Sequence, residues 1–240
     1  LLVEPDDPER ARGLYERAIA AGDERWATNH LANLVREDDP DRAKSLYERA
    51  IAAGDEYYAT NNLGWLVREE DSERAKSLFE RAIAAGNERN ATRNLANLVK
   101  PDDPERAKAL YERAIAAGDE ECATNDLGRL ICGDDPGRAK SLYERAIAAG
   151  DERWATNNLA NLVCGDDPGR AKSLYERAIA AGDERWATNN LGWLLREDDP
   201  DRAKSLYERA IAAGNEDSAT NNLGWLLRED DPERAKSLYE

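Results

Sequence analysis

The sequence contains no methionine, one histidine, one phenylalanine and three cysteines among 240 residues. Three cysteines are too few, and too odd a number, for the disulfide framework of a small secreted domain. Free thiols are typical of a reducing compartment, so we expect a cytoplasmic protein.

Long apolar runs and an excess of basic residues are also missing. The chain has no stretch of about 18 apolar residues and no signal-peptide pattern at its start, so we expect no membrane span. The 50 acidic residues outnumber the 34 basic ones and give a net charge of −16. This balance disfavours general binding to nucleic-acid phosphates, which requires a basic surface.

Motifs for catalysis and metal binding are absent as well. The sequence shows no nucleophile–base set, no phosphate-binding glycine loop and no Cys/His cluster with metal-ligand spacing. The acidic turns at 198–201 lack the alternating ligands and central glycine of a calcium loop. His30 is best explained as a surface substitution. We therefore expect no enzymatic activity, no cofactor and no metal site.

What the chain does have is a repeat of 32 residues. The segment 183–214, DERWATNNLGWLLREDDPDRAKSLYERAIAAG, occurs about seven and a half times with few changes. A fixed period in this range is typical of a solenoid. We expect 1–240 to form a single solenoid, and to be part of a longer array because the first and last copies are incomplete. The step is marked by Pro8, Pro40, Pro104, Pro136, Pro168, Pro200 and Pro232, with Ser72 in the remaining copy.

Each repeat predicts two helices, which we call helix A and helix B. In 183–214, helix A is expected from about 184 to 196, with Asp183 as its N-cap. Helix B is expected to begin at Pro200 after the N-cap Asp199, and to end near Ala213 before a left-handed Gly214. The short connections require antiparallel packing. The apolar stripes that would form the core are Ala187, Leu191, Leu194 and Leu195 in helix A, and Ala203, Leu206, Tyr207, Ala210 and Ile211 in helix B.

Two sequence patterns suggest a family. Leu191-Gly192 in helix A, followed by Ala203, Tyr207 and Ala210 in helix B, resembles the tetratricopeptide repeat. The phrase LYERAIAAGDE with NNLGWLL resembles the Sel1-like branch of that superfamily, and the resemblance covers the whole chain. It implies an all-α fold, namely a right-handed α-solenoid of antiparallel helix-turn-helix repeats with A helices on the concave face. It also implies binding of proteins or peptides. The period of 32 is shorter than usual for either family.

The copies differ mainly at four positions of helix A, which we name after their members in 183–214. The Trp186 row comprises Trp26, Tyr58, Asn90, Cys122, Trp154, Trp186 and Ser218. The Asn189 row comprises Asn29, Asn61, Arg93, Asn125, Asn157, Asn189 and Asn221. The Trp193 row comprises Asn33, Trp65, Asn97, Arg129, Asn161, Trp193 and Trp225. The Arg196 row comprises Arg36, Arg68, Lys100, Cys132, Cys164, Arg196 and Arg228.

The four rows share one face of helix A and form our candidate partner-binding face. Residues on the outer face of helix B, such as Arg202, Glu208 and Arg209, recur almost unchanged. Neutral drift would be expected to change both faces, and all six tryptophans lie in two of the variable rows. Tryptophan and arginine often anchor interfaces. We expect the rings to be partly buried, with one edge open to a groove.

These patterns favour a non-catalytic scaffold that binds a protein or peptide with acidic and apolar side chains. A recognition or sensor part of a larger signalling or defence protein is one further interpretation. Two alternatives stay open: recognition of nucleic acid or glycan by the same groove, and a ligand-free structural or engineered consensus scaffold. Nothing in the sequence sets the oligomeric state.

Overall fold

A computed structural model describes residues 7–239, and this part of the chain contains fifteen helices and no strand. Even-numbered helices are the A helices and odd-numbered ones the B helices. No helix in the described part is long and apolar enough to span a bilayer. The helices are α1 Pro8–Ala20, α2 Trp26–Val35, α3 Pro40–Ala52, α4 Tyr58–Val67, α5 Ser72–Ala84, α6 Asn90–Val99, α7 Pro104–Ala116, α8 Cys122–Ile131, α9 Pro136–Ala148, α10 Trp154–Val163, α11 Pro168–Ala180, α12 Trp186–Leu195, α13 Pro200–Ala212, α14 Glu216–Leu227 and α15 Pro232–Tyr239.

The predicted signals for helix B are confirmed. The Asp199 carboxylate accepts a hydrogen bond from the Arg202 amide at 3.1 Å, and Pro200 is the first helical residue. Ser72 begins α5 in the same way after Asp71. At the other end Gly214 has φ +89°, and its amide donates to the Ile211 carbonyl at 2.9 Å. Glycine is suited to this position because other residues rarely adopt a positive φ.

Helix A is shorter than expected in six of its seven described copies, whereas α14 begins at Glu216 as the pattern predicts. The Asp183 carboxylate caps it by accepting from the Trp186 amide at 3.1 Å. The intervening pair 184–185 forms a turn, so α12 begins at Trp186 rather than near 184. The start of the incomplete first copy falls on residues 1–6, and the end of the incomplete last copy falls on residue 240. Both lie outside the described residues.

The chain divides into two compact units, Leu1–Asp119 and Glu120–Glu240. In the first unit, each A helix from α2 to α6 packs between the B helices before and after it, and neighbouring A helices also contact each other. The second unit repeats this arrangement over α8–α15. Each unit is therefore a stack of antiparallel hairpins, the arrangement of an α-solenoid. That 1–240 forms one solenoid stays a prediction.

The two apolar stripes form the core of each repeat, as predicted. In the repeat 183–214, Leu191 and Tyr207 are 1% exposed, whereas Leu194 and Ile211 are half-buried at the edge. The residues equivalent to Leu191 are all almost fully buried, namely Leu31, Leu63, Leu95, Leu127, Leu159 and Leu223. A helix alone would expose its stripe, so every repeat depends on its neighbours for burial.

Regular ion pairs connect one repeat to the next along the B helices. The Arg202 guanidinium donates to Glu176 at 2.9 Å, and Arg234 donates to Glu208 at 2.7 Å. Within one repeat, Arg209 of helix B also contacts Glu184, in the turn before helix A, with two nitrogens. Exposed pairs of this kind contribute up to about 1 kcal/mol each. The near-constancy of the helix B face therefore has a structural reason, and it was wrong to treat that face as free to drift.

The cap of helix A is a buried polar position that exists in two forms. Asn215 and Asn87 donate their side-chain amides to backbone carbonyls of the preceding repeat, Arg185 at 2.8 Å and Tyr57 at 2.9 Å. Asp183 is fully buried at the equivalent position, and its Oδ2 has no hydrogen-bond partner among the described residues. Burial raises the pKa of Asp183 above its ordinary value of 3.8.

We predict that Asp183→Asn stabilises the protein at pH 7 by about 1 kcal/mol, because the new amide can donate to a carbonyl as Asn215 does. The raised pKa means that the folded protein binds more protons than the unfolded chain between the two pKa values. The ionised carboxylate of Asp183 therefore lowers stability at pH 7, and this loss disappears as the pH falls below 3.8.

Denaturant unfolding of both proteins at pH 7 and near pH 4 measures the effect. The stabilisation should shrink at the lower pH. The reverse change, Asn215→Asp, is the matched control and should destabilise more at pH 7 than at pH 4. Equal effects at both pH values would contradict this account.

Candidate interaction surface

The A helices expose a set of large aromatic side chains. Their exposed fractions run from 37% for Trp186 to 57% for Tyr58. Such values leave part of each ring packed and part open to solvent. All of these residues belong to the Trp186 and Trp193 rows, and they are Trp26, Tyr58, Trp65, Trp154, Trp186, Trp193 and Trp225. Exposed apolar patches of this kind often mark interaction sites.

An arginine lies over most of these rings. Arg196 lies 4.1 Å from the centroid of Trp193, and Arg228 lies 4.1 Å from that of Trp225. In the Trp186 row, Arg185 lies 4.7 Å from Trp186. Such cation–π contacts contribute about 0.5–1 kcal/mol at exposed sites. They hold the rings in place and give the surface a mixed cationic and aromatic character.

Several cations of this face are already paired within the chain. The Arg196 guanidinium donates to the Trp193 carbonyl at 2.6 Å and to Glu197 at 2.9 Å. Arg68 and Arg228 repeat this pattern with the glutamates that follow them. Arg36 lies 3.9 Å from Glu37, and Lys100 is half-buried. The positive charge of the Arg196 row is therefore partly neutralised by the adjoining turns.

The Asn189 row lies deeper than the sequence suggested. Asn29, Asn61, Asn125, Asn157 and Asn189 are 4–9% exposed, whereas Asn221 is exposed. The side-chain oxygen of each buried asparagine accepts a hydrogen bond from an asparagine of the next repeat. The donors are Asn62, Asn94, Asn158, Asn190 and Asn222, at 2.8–3.1 Å. We call these contacts the asparagine ladder, and they connect consecutive A helices.

Two other changes in the rows also form internal contacts. Arg93, the arginine of the Asn189 row, is half-buried and lies 3.0 Å from a carboxylate oxygen of the buried Asp119. Arg129 in the Trp193 row lies 3.8 Å from Asp126. In the Trp186 row, Asn90 and Cys122 are half-buried. Arg93, Asn90 and Cys122 therefore contribute to packing, whereas Arg129 stays exposed.

The Trp193 row contains two types of repeat, distinguished by the residue that precedes it. Alanine precedes asparagine at Ala32-Asn33, Ala96-Asn97 and Ala160-Asn161. Glycine precedes a large residue at Gly64-Trp65, Gly128-Arg129, Gly192-Trp193 and Gly224-Trp225. The sequence shows this pairing directly, because the two residues are adjacent in every copy. The pairing was the signal that sequence reasoning missed.

The aromatic ring of helix B explains the pairing. In the alanine type, the Tyr175 hydroxyl donates to the Asn161 side-chain oxygen at 2.7 Å, and Tyr47 and Tyr111 do the same at Asn33 and Asn97. In the glycine type, the ring takes the place of a methyl group. A Cβ built on Gly192 would lie 2.9 Å from the Tyr207 ring, which is closer than normal packing allows. Phe79, which has no hydroxyl, fills this place beside Gly64.

Cavities open between consecutive A helices next to the Trp193 row. One of about 380 Å³ is lined by residues that include Asn161, Cys164, Asn190 and Trp193. Another of about 410 Å³ lies at the equivalent place beside Trp65 in the first unit. Each has a tryptophan and an asparagine of the Trp193 row among its lining residues. A side chain from a partner could enter such a cavity.

His30 and the cysteines complete the chemically distinctive side chains. His30 is half-buried rather than on the open surface, because it stacks on Tyr15 and lies 4.0 Å from the Trp26 ring. Burial lowers its pKa below 6.5. Cys122, Cys132 and Cys164 form no disulfide within the part of the chain that the structure describes. Among the described residues no group of three or more potential metal ligands occurs.

A family profile for the Sel1 repeat matches seven segments of the chain. They are residues 1–23, 32–55, 58–87, 95–119, 129–151, 165–183 and 187–215, which together cover most of the sequence. No curated protein matches the sequence.

Solved structures show the same fold at low identity. A Sel1 repeat protein from Oxalobacter formigenes has a TM-score of 0.68 at 21% identity, covering 87% of this chain and 96% of its own. Yeast Tom70 has a TM-score of 0.71 at 17% identity over 98% of this chain, which spans 54% of the Tom70 chain. Human IFIT1, solved as a dimer with PPP-AAAA, has a TM-score of 0.66 at 14% identity, covering 98% of this chain and 68% of its own.

We predict that Gly192→Ala destabilises the protein by about 1–2 kcal/mol, because the added methyl group collides with the Tyr207 ring. The double change Gly192→Ala with Trp193→Asn should recover part of this loss. The new asparagine offers the Tyr207 hydroxyl the acceptor that Asn161 offers Tyr175. A double-mutant cycle by denaturant unfolding tests this, and additive effects would contradict the proposed pairing.

We also predict that Asn157→Ala costs about 1 kcal/mol of stability, because it removes one of the two acceptors of the Asn190 amide, each at 3.1 Å, and leaves only Asn161. The exposed Asn221, which is outside the buried part of the ladder, is the matched control. Asn221→Ala should change the unfolding free energy by less than about 0.5 kcal/mol. Equal effects of the two substitutions would show that the ladder does not stabilise the repeat.

Proposed function

Because the chain belongs to the Sel1 repeat family, we propose that it is a non-catalytic scaffold that binds a protein or peptide along the A helices. The contact surface comprises the exposed members of the Trp186, Trp193 and Arg196 rows, and we call it the A-helix face. The shared fold with other helical-repeat proteins supports a scaffold, and the composition of the face supports a macromolecular partner.

The exposed aromatic residues carry this proposal. Trp186 is 37% exposed and Trp193 is 48% exposed, although the core of their repeat is filled by Leu191 and Tyr207. Burial of apolar surface contributes about 25 cal/mol per Å², so a partner that covers these exposed rings would gain binding free energy. Tryptophan is among the residues that most often dominate interfaces. A repeated row of such rings suits an extended segment that crosses several repeats.

The arginines of the A-helix face suggest where acidic side chains of the partner would bind. Acidic side chains would meet Arg185, which lies over Trp186, and Arg153, which lies over Trp154 and whose charge also acts on the buried Asp183 carboxylate. The arginines of the Arg196 row face glutamates instead. We therefore propose apolar anchor residues in the partner, with acidic residues next to the Trp186 row.

Nucleic acid is the second candidate, and one comparison favours it. The IFIT1 structure contains PPP-AAAA and shares this fold. The net charge of −16 opposes it, because a phosphate backbone would meet a mainly acidic chain. A ligand-free scaffold is a third candidate. The ion pairs of helix B explain why its face is constant, so the contrast with the variable face of helix A is weaker evidence for a ligand than the sequence alone suggested. The exposed aromatic rows are what that alternative leaves unexplained.

We further propose a cytoplasmic location, because three cysteines are too few for a disulfide framework and none of them forms a disulfide among the described residues. The concentration of sequence differences on the A-helix face suits a recognition or sensor part of a larger signalling or defence protein. Both proposals describe the setting in which the binding face would act.

The test is selection of peptides against the whole chain from a random display library, followed by affinity measurement. We expect Trp186→Ala with Trp193→Ala to reduce affinity for the selected peptides at least about tenfold, because two anchors are lost. The far-ultraviolet circular dichroism should stay unchanged, since both rings are partly exposed and outside the core.

The matched control is Ser173→Ala with Ser205→Ala, two exposed residues of helix B that should leave affinity unchanged. Binding that survives loss of both tryptophans would remove the A-helix face as the site. Selective retention of single-stranded oligonucleotides over peptides would favour the nucleic-acid alternative.

A further inference from the structure

The same inter-repeat framework occurs twice, once with an arginine of the chain stacked on its tryptophan and once with a cysteine and a cavity in place of that arginine. We call the first the 33/65 notch, formed by Asn33, Tyr47, Asn62 and Trp65. We call the second the 161/193 notch, formed by Asn161, Tyr175, Asn190 and Trp193. The two sets occupy equivalent positions 128 residues apart, four repeats of 32.

Hydrogen bonds hold the two notches in the same arrangement. The tyrosine hydroxyl donates to the first asparagine at 2.7 Å in both. The second asparagine donates to the first at 3.2 Å in the 33/65 notch and at 3.1 Å in the 161/193 notch. In both, therefore, two donors already occupy the side-chain oxygen of the first asparagine. The frameworks match, and the difference lies in what occupies the space beside the tryptophan.

A guanidinium fills the 33/65 notch. Arg36 lies 4.7 Å from the centroid of Trp65, while Arg68 of the next turn lies 4.0 Å from the same ring. Arg36 also neighbours the Tyr47 hydroxyl. Burial raises the pKa of Tyr47, and the charge of Arg36 offsets part of this increase. The ring of Trp65 thus contacts two arginines, one from its own repeat and one from the preceding repeat.

The 161/193 notch lacks the first of these arginines. Cys164 stands at the position of Arg36, and a cavity of about 380 Å³ lies beside it. Trp193 keeps only the equivalent of Arg68, which is Arg196 at 4.1 Å. Its exposed fraction is 48%, compared with 39% for Trp65. The framework that receives a guanidinium in one repeat is therefore open in the other.

We propose that the 161/193 notch binds an arginine side chain supplied by a partner peptide. This inference rests on the proposed function and adds a chemical identity to one subsite. The incoming guanidinium would stack on Trp193 as Arg36 stacks on Trp65, and would donate to the Tyr175 hydroxyl oxygen.

Charge and shape favour arginine over other side chains. Arg36-Glu37 is replaced by Cys164-Gly165, so the notch loses a cation together with the neighbouring carboxylate. The turn that follows retains two acidic residues, Asp166 and Asp167, and the whole chain carries a charge of −16. A planar guanidinium stacks on an aromatic ring, whereas the compact and strongly hydrated ammonium of lysine does so less well. A carboxylate from the partner would find no ion-pair donor at position 164, because Cys164 replaces the arginine found at position 36.

The experiment follows the indole N–H signals of the ¹⁵N-labelled chain by NMR, with the Trp193 and Trp65 signals assigned by Trp→Phe substitutions. The probes are N-acetyl-arginine amide, N-acetyl-lysine amide and N-acetyl-glutamate amide. We expect the arginine probe to shift the Trp193 signal at millimolar concentration, and the lysine and glutamate probes to shift it several-fold less. Equal shifts with all three probes, or none with arginine, would overturn the proposal.

Two reciprocal variants locate the effect. Cys164→Arg should fill the notch from within and abolish the response of Trp193, whereas Cys164→Ser is the control that should keep it. Arg36→Cys should create a new arginine response at Trp65. A Trp193 response that survives Cys164→Arg would overturn the assignment, and unchanged circular dichroism would show that each variant is folded.

Failure here can be separated from failure of the proposed function. If peptides selected on the whole chain bind through Trp186 and Trp193, but bind equally well to the Cys164→Arg variant, the face is correct and the arginine subsite is wrong. If selected peptides contain an arginine whose replacement by alanine lowers affinity about tenfold in the wild type but not in Cys164→Arg, both are supported.

Discussion

Each repeat depends on the contact between one aromatic ring of helix B and one small residue of helix A. At Gly192 the ring of Tyr207 lies where a methyl group would be, and at Ala160 the equivalent Tyr175 turns its hydroxyl to Asn161. The small residue therefore decides how closely the two helices approach. The small residue also correlates with the residue that follows it on the A-helix face: glycine precedes tryptophan or arginine, and alanine precedes asparagine. A packing constraint in the interior is in this way coupled to the chemistry of the surface.

Two polar systems then connect the repeats on opposite sides of that core. The asparagine ladder joins consecutive A helices, as in the bond from Asn190 to Asn157. The ion pairs join consecutive B helices, as in the bond from Arg202 to Glu176. Buried amides fix geometry because an unpaired one is costly, whereas exposed ion pairs contribute little individually. The ladder is thus the stronger constraint on the register between repeats. The exposed aromatic rings of the A helices take part in neither the ladder nor the B-helix ion pairs.

Much of the fold could be predicted because its signals are local. Capping by Asp199, the start at Pro200 and the left-handed Gly214 follow from rules that involve adjacent residues only. The apolar stripes follow from helical periodicity. The start of helix A was placed two residues too early, because the Asp183 cap is separated from α12 by a turn that periodicity does not report.

The candidate face was harder to predict, because helical spacing shows on which side of a helix a residue lies but not whether a neighbouring helix buries it. Asn189 shares a face with Trp186 and Trp193, yet it is buried because the next A helix covers it. Whether a side chain meets solvent or a neighbour depends on the stacking of repeats, which a single-repeat pattern does not contain. For the same reason, the constancy of Arg209 suggested an unconstrained surface and concealed its contact with Glu184.

The 32-residue spacing of both polar systems has a consequence for how such a gene can change. The ladder bonds and the B-helix ion pairs join one copy to the copy before it and recur with the repeat, as in Asn190 to Asn157 and Arg202 to Glu176, so deleting or duplicating a whole copy restores such a bond with an equivalent partner. The Gly–Trp and Ala–Asn types meet the same aromatic position of helix B, and a tyrosine fills it in both, as Tyr207 and Tyr175 show. The type of a copy is therefore carried by one adjacent pair of residues, such as Gly192-Trp193 or Ala160-Asn161. A recombined copy that keeps this pair intact keeps both the contact with helix B and the side chain on the A-helix face, so the inherited unit of recognition is much shorter than the repeat itself.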